Sequence, residues 1–338
     1  MNIAFITSIV LVLAVVFVNG WTDAPNAIGT AVATRVLRPR AAILMAVVCN
    51  FLGVLLMTAV NAQVAETISK MVDFGAAGHE ALITLTAAMV AIVVWATAAW
   101  FFGIPTSESH ALIAGLTGAA LALGGFSAIN MGEWSKVLIG LGVSTVLGFG
   151  GGFVITRVIE RICRHMDRRR TERFFAGGQA SSAALMAFLH GAQDGQKFMG
   201  VFMLAMFLNG YAEKNASGAF NIPIWVMLLC SAVMGLGTLV GGGRIIKTVG
   251  MDMVKLQKYQ GFASDLAASI SLLLASLTGL PVSTTHTKTT AIMGVGASRR
   301  LSSVNWSVAG EMIWAWVLTF PGCGLIGFGM AKLFMHLF

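Results

Sequence analysis

The sequence predicts an all-α integral membrane protein of about ten membrane segments, laid out as two inverted five-segment repeats with broken helices. Three observations lead there. The 338-residue chain is 57% hydrophobic and only 11% charged, against roughly one quarter charged in soluble domains. Its Lys and Arg residues collect in short stretches between apolar runs. Two polar motifs, each set inside an apolar run, recur in the second half of the chain in the same order.

With a mean hydropathy of +0.83, the chain has more apolar surface than a soluble fold can hide. About 20 apolar residues cross a ~30 Å hydrocarbon layer, so the length allows about ten crossings. Apolar runs and their breaks place segments near 3–34, 41–62, 82–102, 105–125, 135–157, 179–210, 222–242, 259–279, 281–297 and 307–335. The first and sixth are too long for one straight crossing and carry polar residues midway, which predicts interrupted helices. Residues 1–20 lack a basic start and a small-x-small cleavage site, so they read as the first membrane helix rather than a secretory leader. Cys49, Cys163, Cys230 and Cys323 are scattered singly and predict neither a disulfide framework nor a metal site.

The net charge of +8 records topology rather than a nucleic-acid partner, because its position follows the loops. With the N-terminus outside, Arg35, Arg38 and Arg40 are cytoplasmic. So are Arg157, Arg161, Arg164, Arg168, Arg169, Arg170 and Arg173, then Arg244, Lys247, Lys255 and Lys258, then Arg299 and Arg300. Lys70, Lys136, Lys214 and Lys332 lie outside, and Lys197 and Lys288 are buried. This bias favours a net crossing by residues 105–125. Five segments per half is an odd number, so the second half enters upside down. Residues 1–157 form the first repeat, 158–178 a basic cytoplasmic linker, and 179–338 the second repeat.

Sequence similarity between the halves supports the inversion. Asn19-Gly-Trp-Thr-Asp23 aligns with His190-Gly-Ala-Gln-Asp194 at an offset of 171 residues. Gly103-Ile-Pro-Thr-Ser107-Glu-Ser-His110 aligns with Gly279-Leu-Pro-Val-Ser283-Thr-Thr-His286 at 176. Inverted repeats with polar breaks are a secondary-transporter architecture. An open channel would want a continuous polar path instead. A membrane hydrolase built on Ser107 and His110 would leave the duplication unexplained.

Each ionised side chain inside an apolar segment costs at least about 2.5 to 3.5 kcal/mol on insertion scales, so these motifs need a reason. Around Asn19 to Asn26, Gly20 and Pro25 favour an interrupted helix. Its freed carbonyls, with the Asp23 carboxylate and the Asn26 amide, make a hard-oxygen site for a cation. The run from His190 to Lys197 offers a second carboxylate, Asp194, beside Gln193, and adds Lys197. That lysine either neutralises Asp194 or reaches an anion. The structural alternative is that Asp23 and Asp194 merely pair with Lys197 or Lys288 as helix glue.

The other two motifs place Ser107, Glu108 and Ser109, and Ser283, Thr284 and Thr285, just after Pro105 and Pro281 at the start of short apolar helices. Helix starts present free N–H groups and a positive dipole end, so two facing one another form an anion cradle suited to a tetrahedral oxyanion. One such start would be an ordinary N-cap; the inverted pair is the stronger signal. His110 and His286, one turn further on, read as hydrogen-bonded supporting residues, with proton carrier as the alternative, and His190 is a further supporting residue. Asp265 has no repeat partner, and Glu311 lies near a membrane face outside the site.

At these four motifs the chain resembles the inorganic phosphate transporter (PiT) family. Its halves carry G-x-N-D-x-x-N-A or H-G-x-N-D-x-Q-K, and P-x-S-S/T-S/T-H. Gly20, Asp23, Asn26 and Ala27 match the first; His190, Gly191, Asp194, Gln196 and Lys197 the second; Ser107, Ser109, His110 and Ser283, Thr284, Thr285, His286 the others. The resemblance implies a multi-pass permease of the cell membrane and an all-helical inverted repeat. It implies that the matched Ser and Thr residues bind inorganic phosphate. It further implies that the aspartates serve a coupling cation, proton or sodium, with no other cofactor. Departures are Thr22 and Gln193 in place of the family Asn, Glu108 in place of a hydroxyl residue, and Lys288 where a small or apolar residue is typical. Sulfate, carried by members of the same broad family, is the alternative substrate. It has no O–H to donate, whereas phosphate near neutral pH keeps one, and Asp23, Asp194 and Glu108 favour the anion that does. Lipid and phosphate are the expected partners, without nucleic acid. The glycines Gly148, Gly150, Gly151 and Gly152 permit close helix contact either within one protomer or in a homodimer.

Overall fold

Apolar runs of this length can satisfy their backbone only as helices, and the computed structural model is helical throughout. It describes residues 3–75, 78–103, 106–216, 218–240 and 253–338. In chain order the helices are α1 Ile3–Thr22, α2 Ala24–Ala33, α3 Pro39–Val60, α4 Gln63–Lys70, α5 His79–Phe102, α6 Glu108–Gly124 and α7 Met131–Ile162. There follow α8 Arg168–Leu208, α9 Ile224–Val240, α10 Lys258–Leu277, α11 Thr284–Arg299 and α12 Trp306–Leu337. Among the described residues, seven helical stretches are long and apolar enough to cross a membrane, and α9 is a shorter apolar helix.

The polarity of the fold is that of a membrane protein. Large apolar side chains stand on the outside, with Leu44 at 58%, Val146 at 70% and Leu325 at 72% exposure. Asp23, Glu108, Asp194, Lys197, Asp265 and Lys288, with many Ser and Thr hydroxyls, are buried instead. In water, apolar patches of this extent would drive association; in lipid they are the solvated surface.

The predicted break in the first segment is present. α1 and α2 meet at Asp23, whose N–H still donates to the Asn19 carbonyl at 2.9 Å, while Asn26 N–H closes a tight turn onto the Asp23 carbonyl at 2.9 Å. Pro25 lies in the first turn of α2, where its missing N–H leaves the preceding turn unsupported. The predicted break in the sixth segment is not present, because α8 runs unbroken for 41 residues through His190 to Lys197. Gly191 and Gly195 serve packing there. A Cβ on Gly191 would fall 2.3 Å from the Asn50 carbonyl oxygen of α3, and one on Gly195 would fall 2.5 Å from Val54. The basic stretch 158–178 is likewise mostly helical. α7 and α8 extend into it and leave only 163–167 between them, with Asp167 capping α8 by accepting from Arg170 N at 2.9 Å. The short helix α4, which carries the i,i+4 pair Glu66–Lys70, was not anticipated by the apolar runs.

Helix packing is reciprocal between the halves. α6 packs on α12 and α11 on α7; α3 on α8 and α1 on α9; α5 on α12 and α10 on α7. Gly103 and Gly279 both take left-handed backbone, at φ +71° and +66°, after α5 and α10. At one end of the bundle Thr34, Arg164, Arg168 and Lys258 line one cavity, and Lys255 and Arg299 another. Lys70 and Lys214 share a different cavity with Asp73 and Asn130. Arg244 and Lys247 lie outside the described residues.

The glycine-rich stretch of α7 makes its contacts within the protomer. A Cβ on Gly148 would meet Thr290 Oγ1 at 2.4 Å, and one on Gly152 the Ala291 carbonyl oxygen at 2.3 Å, whereas Gly150 faces open space. Gly152→Leu is therefore expected to lower the melting temperature in detergent, at a cost beyond the about 1 to 3 kcal/mol of ordinary overpacking, because backbone must move. Gly150→Leu is expected to raise it through helix propensity alone. Equal melting temperatures for the two variants would contradict this packing.

Candidate functional site

Two helices begin near the middle of the bundle. Ser107 caps α6 by accepting from His110 N at 3.2 Å, and Ser283 caps α11 by accepting from His286 N at 3.0 Å. Pro281 precedes the second cap; Pro105 lies outside the described residues. The His110 and His286 rings meet edge to face at 5.9 Å between centroids, so the two helix starts are neighbours. His286 is held by Thr145, whose Oγ1 is 3.1 Å from Nε2, and by Trp316, with centroids at 4.1 Å. His110 packs on Phe320.

Each aspartate bridges both helix starts. Asp23 Oδ1 accepts from Thr285 Oγ1 at 2.6 Å, while its Oδ2 accepts from Glu108 N at 3.2 Å. Asp194 Oδ1 accepts from Ser109 Oγ at 3.4 Å, while its Oδ2 accepts from Thr284 Oγ1 at 3.1 Å. First-turn N–H groups lack intrahelical partners, so a carboxylate at that end is both a hydrogen-bond partner and a favourable charge.

The flanking residues repeat the same relation. Asn26 Nδ2 donates to Thr285 Oγ1 at 2.7 Å and to Asp23 Oδ1 at 3.3 Å. Lys197 Nζ donates to Ser109 Oγ at 2.7 Å and to Asp194 Oδ1 at 2.6 Å, with its third hydrogen on the Val282 carbonyl at 2.5 Å. All these side chains are buried. Of the two lysines inside the membrane segments, Lys197 pairs with Asp194 and Lys288 with Asp265.

Glu108 joins the site through Oε1, which is hydrogen-bonded to Thr22 Oγ1. Among the described residues its Oε2 has no partner, and neither do Asn19 Oδ1 and Asn26 Oδ1. Three buried oxygens without donors beside two aspartates make a hard-oxygen environment. The chemistry it fits is a small hard cation or a proton, next to hydroxyls that fit an oxyanion.

Among the sequence-predicted residues, Ser107, Glu108, Ser109, Ser283, Thr284, Thr285, Asp23, Asn26, Asp194 and Lys197 come together. Gln193 stands apart, with its amide on Ser276 Oγ at 3.1 Å and the Leu280 carbonyl at 3.3 Å. His190 supports Asp194 from below. Its Nδ1 is 3.0 Å from Asn50 Oδ1, and Nε2 is 3.3 Å from Asp194 Oδ2. Sequence reasoning missed Thr22 and Asn19, the latter donating to Asp194 Oδ2 at 3.1 Å. Both lie inside the quoted motif and could have been found there as polar residues, Asn19 one turn before its aspartate and Thr22 next to it.

Residues 19–327 match the phosphate transporter family model. A relative from Bacillus subtilis (strain 168), described as a probable low-affinity inorganic phosphate transporter, is 38% identical over 97% of this chain and 97% of its own length. One of the same description from Rhizobium meliloti (strain 1021) is 41% identical over 92% of this chain and 90% of its own. The fold is shared with a solved structure described as the sodium-dependent phosphate transporter, at a TM-score of 0.89 over the whole of both chains and 23% identity. By the extent of the family match and the identity of these relatives, the chain belongs to the phosphate transporter family.

Proposed function

We propose that this chain is a cation-coupled permease for inorganic phosphate in the plasma membrane, working by alternating access of two inverted five-segment repeats, residues 1–157 and 179–338. The reciprocal helix packing, the matched Gly103 and Gly279 turns and the exchanged Asp–hydroxyl bonds support the inverted repeat. The observation that carries the coupling is charge. Asp23, Glu108 and Asp194 share one buried site with a single ammonium, Lys197. If all are ionised, two negative charges stand in excess where a dianion or monoanion is to bind. An anion cannot enter such a low-dielectric site without company. Cations taken up first, as a proton on Asp23 or as sodium held by Asp23 and Asn26 Oδ1, lower that excess and leave Glu108 Oε2 open.

The hydrogen bonds supply the link between the two ligands. Ser109, Thr284 and Thr285 donate to the aspartates in the closed site. A cation on the carboxylates frees these hydroxyls to turn to phosphate, alongside the N–H groups that follow Ser107 and Ser283. Lys197 acts on the cradle through its bond to Ser109. Phosphate is preferred to sulfate because Glu108 Oε2, buried and without a donor, accepts the O–H that only phosphate brings.

Two expectations test these roles. Asp23→Asn should abolish accumulation of labelled phosphate against its gradient while keeping the wild-type melting temperature, since no ammonium contacts Asp23. Asp194→Asn should lose both, because it strands Lys197 without its buried partner at about 3 to 5 kcal/mol. Full accumulation by Asp23→Asn would remove that carboxylate from coupling. Glu108→Gln should weaken phosphate binding by roughly ten- to hundredfold, the value of about 1.5 to 3 kcal/mol for a hydrogen bond to a charged group, while sparing sulfate. An unchanged phosphate-to-sulfate preference in competition binding would remove Glu108 as the acceptor.

A further inference from the structure

Asp265 on α10 and Lys288 on α11 form a buried ion pair that the proposed chemistry does not use. Thr30 Oγ1 on α2 donates to Asp265 Oδ1 at 2.7 Å, Ser182 Oγ on α8 donates to Oδ2 at 3.3 Å, and Lys288 Nζ also reaches Thr30 Oγ1 at 3.2 Å. Four helices meet at this pair.

The pair stands on a polar line that starts in the site. Asp23, Asn26, Thr30 and Thr34 recur at three- and four-residue spacing, so they share one face of α2 and the residues that bound it. At one end Asp23 and Asn26 bind Thr285. At the other, Thr34 Oγ1 donates to Gln179 Oε1 at 2.8 Å and lines a cavity of about 560 Å³ together with Arg164, Arg168 and Lys258. Gln179 Nε2 is buried on this line without a partner.

The opposite side of the site has no such line. At the 176-residue offset set by Gly103 and Gly279, Asp265 falls on Met89 and Lys288 on Leu112. At the 171-residue offset, Thr30 and Thr34 fall on Val201 and Ala205. All four are buried in the largest apolar cluster. Replacing a buried ion pair by apolar residues is often neutral or stabilising, and that is what the first half has in place. Stability alone therefore does not call for Asp265 and Lys288.

We infer that Lys288, held by Asp265 and Thr30 with Ser182 behind Asp265, is the gate residue of the phosphate route on the side of the basic stretch 157–173. This rests on the phosphate-transport reading. Passing phosphate takes the place of Asp265 as the partner of the Lys288 ammonium. Asp265 keeps its two hydroxyl donors during the exchange, so neither charge is left bare. The anion then passes Gln179 and Thr34 into the cavity, where Arg164, Arg168 and Lys258 receive it. With no anion in transit, the ion pair closes the route.

Labelled phosphate uptake into proteoliposomes tests this with wild type, Asp265→Asn/Lys288→Met and Lys288→Arg, alongside melting temperatures in detergent. The double variant should melt at or above the wild-type temperature and lose at least tenfold in uptake; Lys288→Arg should stay within about threefold of wild type. Wild-type uptake by the double variant overturns the gate. A second arm uses Thr30→Cys in a chain whose four cysteines are replaced by alanine, since Cys163 lines the same cavity. An anionic methanethiosulfonate presented from the side of the basic stretch should modify Cys at position 30, and phosphate should slow it. Modification from the opposite face only, or none, overturns the route, and this arm decides alone if the double variant does not fold. Failure of the wild type itself to carry phosphate would overturn the transport reading instead, a separate result.

Discussion

Two carboxylates buried against two helix starts are the constraint to which the rest of the structure answers. Asp23 and Asp194 each hold the first turns of α6 and α11 together. An ionised group deep in an apolar bundle is tolerated only with full hydrogen bonding or a counter-charge. Asp194 has both, through Lys197, Asn19, Ser109 and Thr284. Asp23 has hydroxyl, amide and backbone donors but no ammonium. That difference leaves Asp194 balanced by a counter-charge and Asp23 held by neutral donors alone.

The same bonds tie the halves to each other. Asp23 of the first half binds Thr285 of the second, and Asp194 of the second binds Ser109 of the first. The glycine contacts between α3 and α8, α1 and α9, and α7 and α11 bring backbones close enough to hold these side chains in register. A helix–helix interface in lipid has no hydrophobic drive of its own and relies on such close packing and on polar links. Each aspartate therefore lies on a contact between the two halves of the sequence.

Much of this was legible in the sequence, because polar residues within apolar runs are conspicuous and their pairing at offsets of 171 and 176 residues is visible without coordinates. The caps at Ser107 and Ser283 and the turn at Asp23 followed from Pro, Ser and Gly chemistry. The continuity of α8 did not, since a glycine that breaks a helix and one that admits a neighbouring backbone look alike in sequence; Gly191 is the second kind. Gln193 looked like part of the cation site by adjacency to Asp194, yet successive helix residues point 100° apart and its amide reaches Ser276 instead. Asp265 and Lys288 stood out singly as charges, but their partnership depends on how α10 and α11 pack.

Coupling between cation and phosphate is tested most directly by labelled phosphate in proteoliposomes with an imposed sodium or proton gradient and tenfold excess sulfate. The expected result is accumulation of phosphate above its external concentration only while one of the two cation gradients lasts, undiminished by sulfate. Equal phosphate flux with and without either gradient, or displacement of phosphate by sulfate, would contradict it.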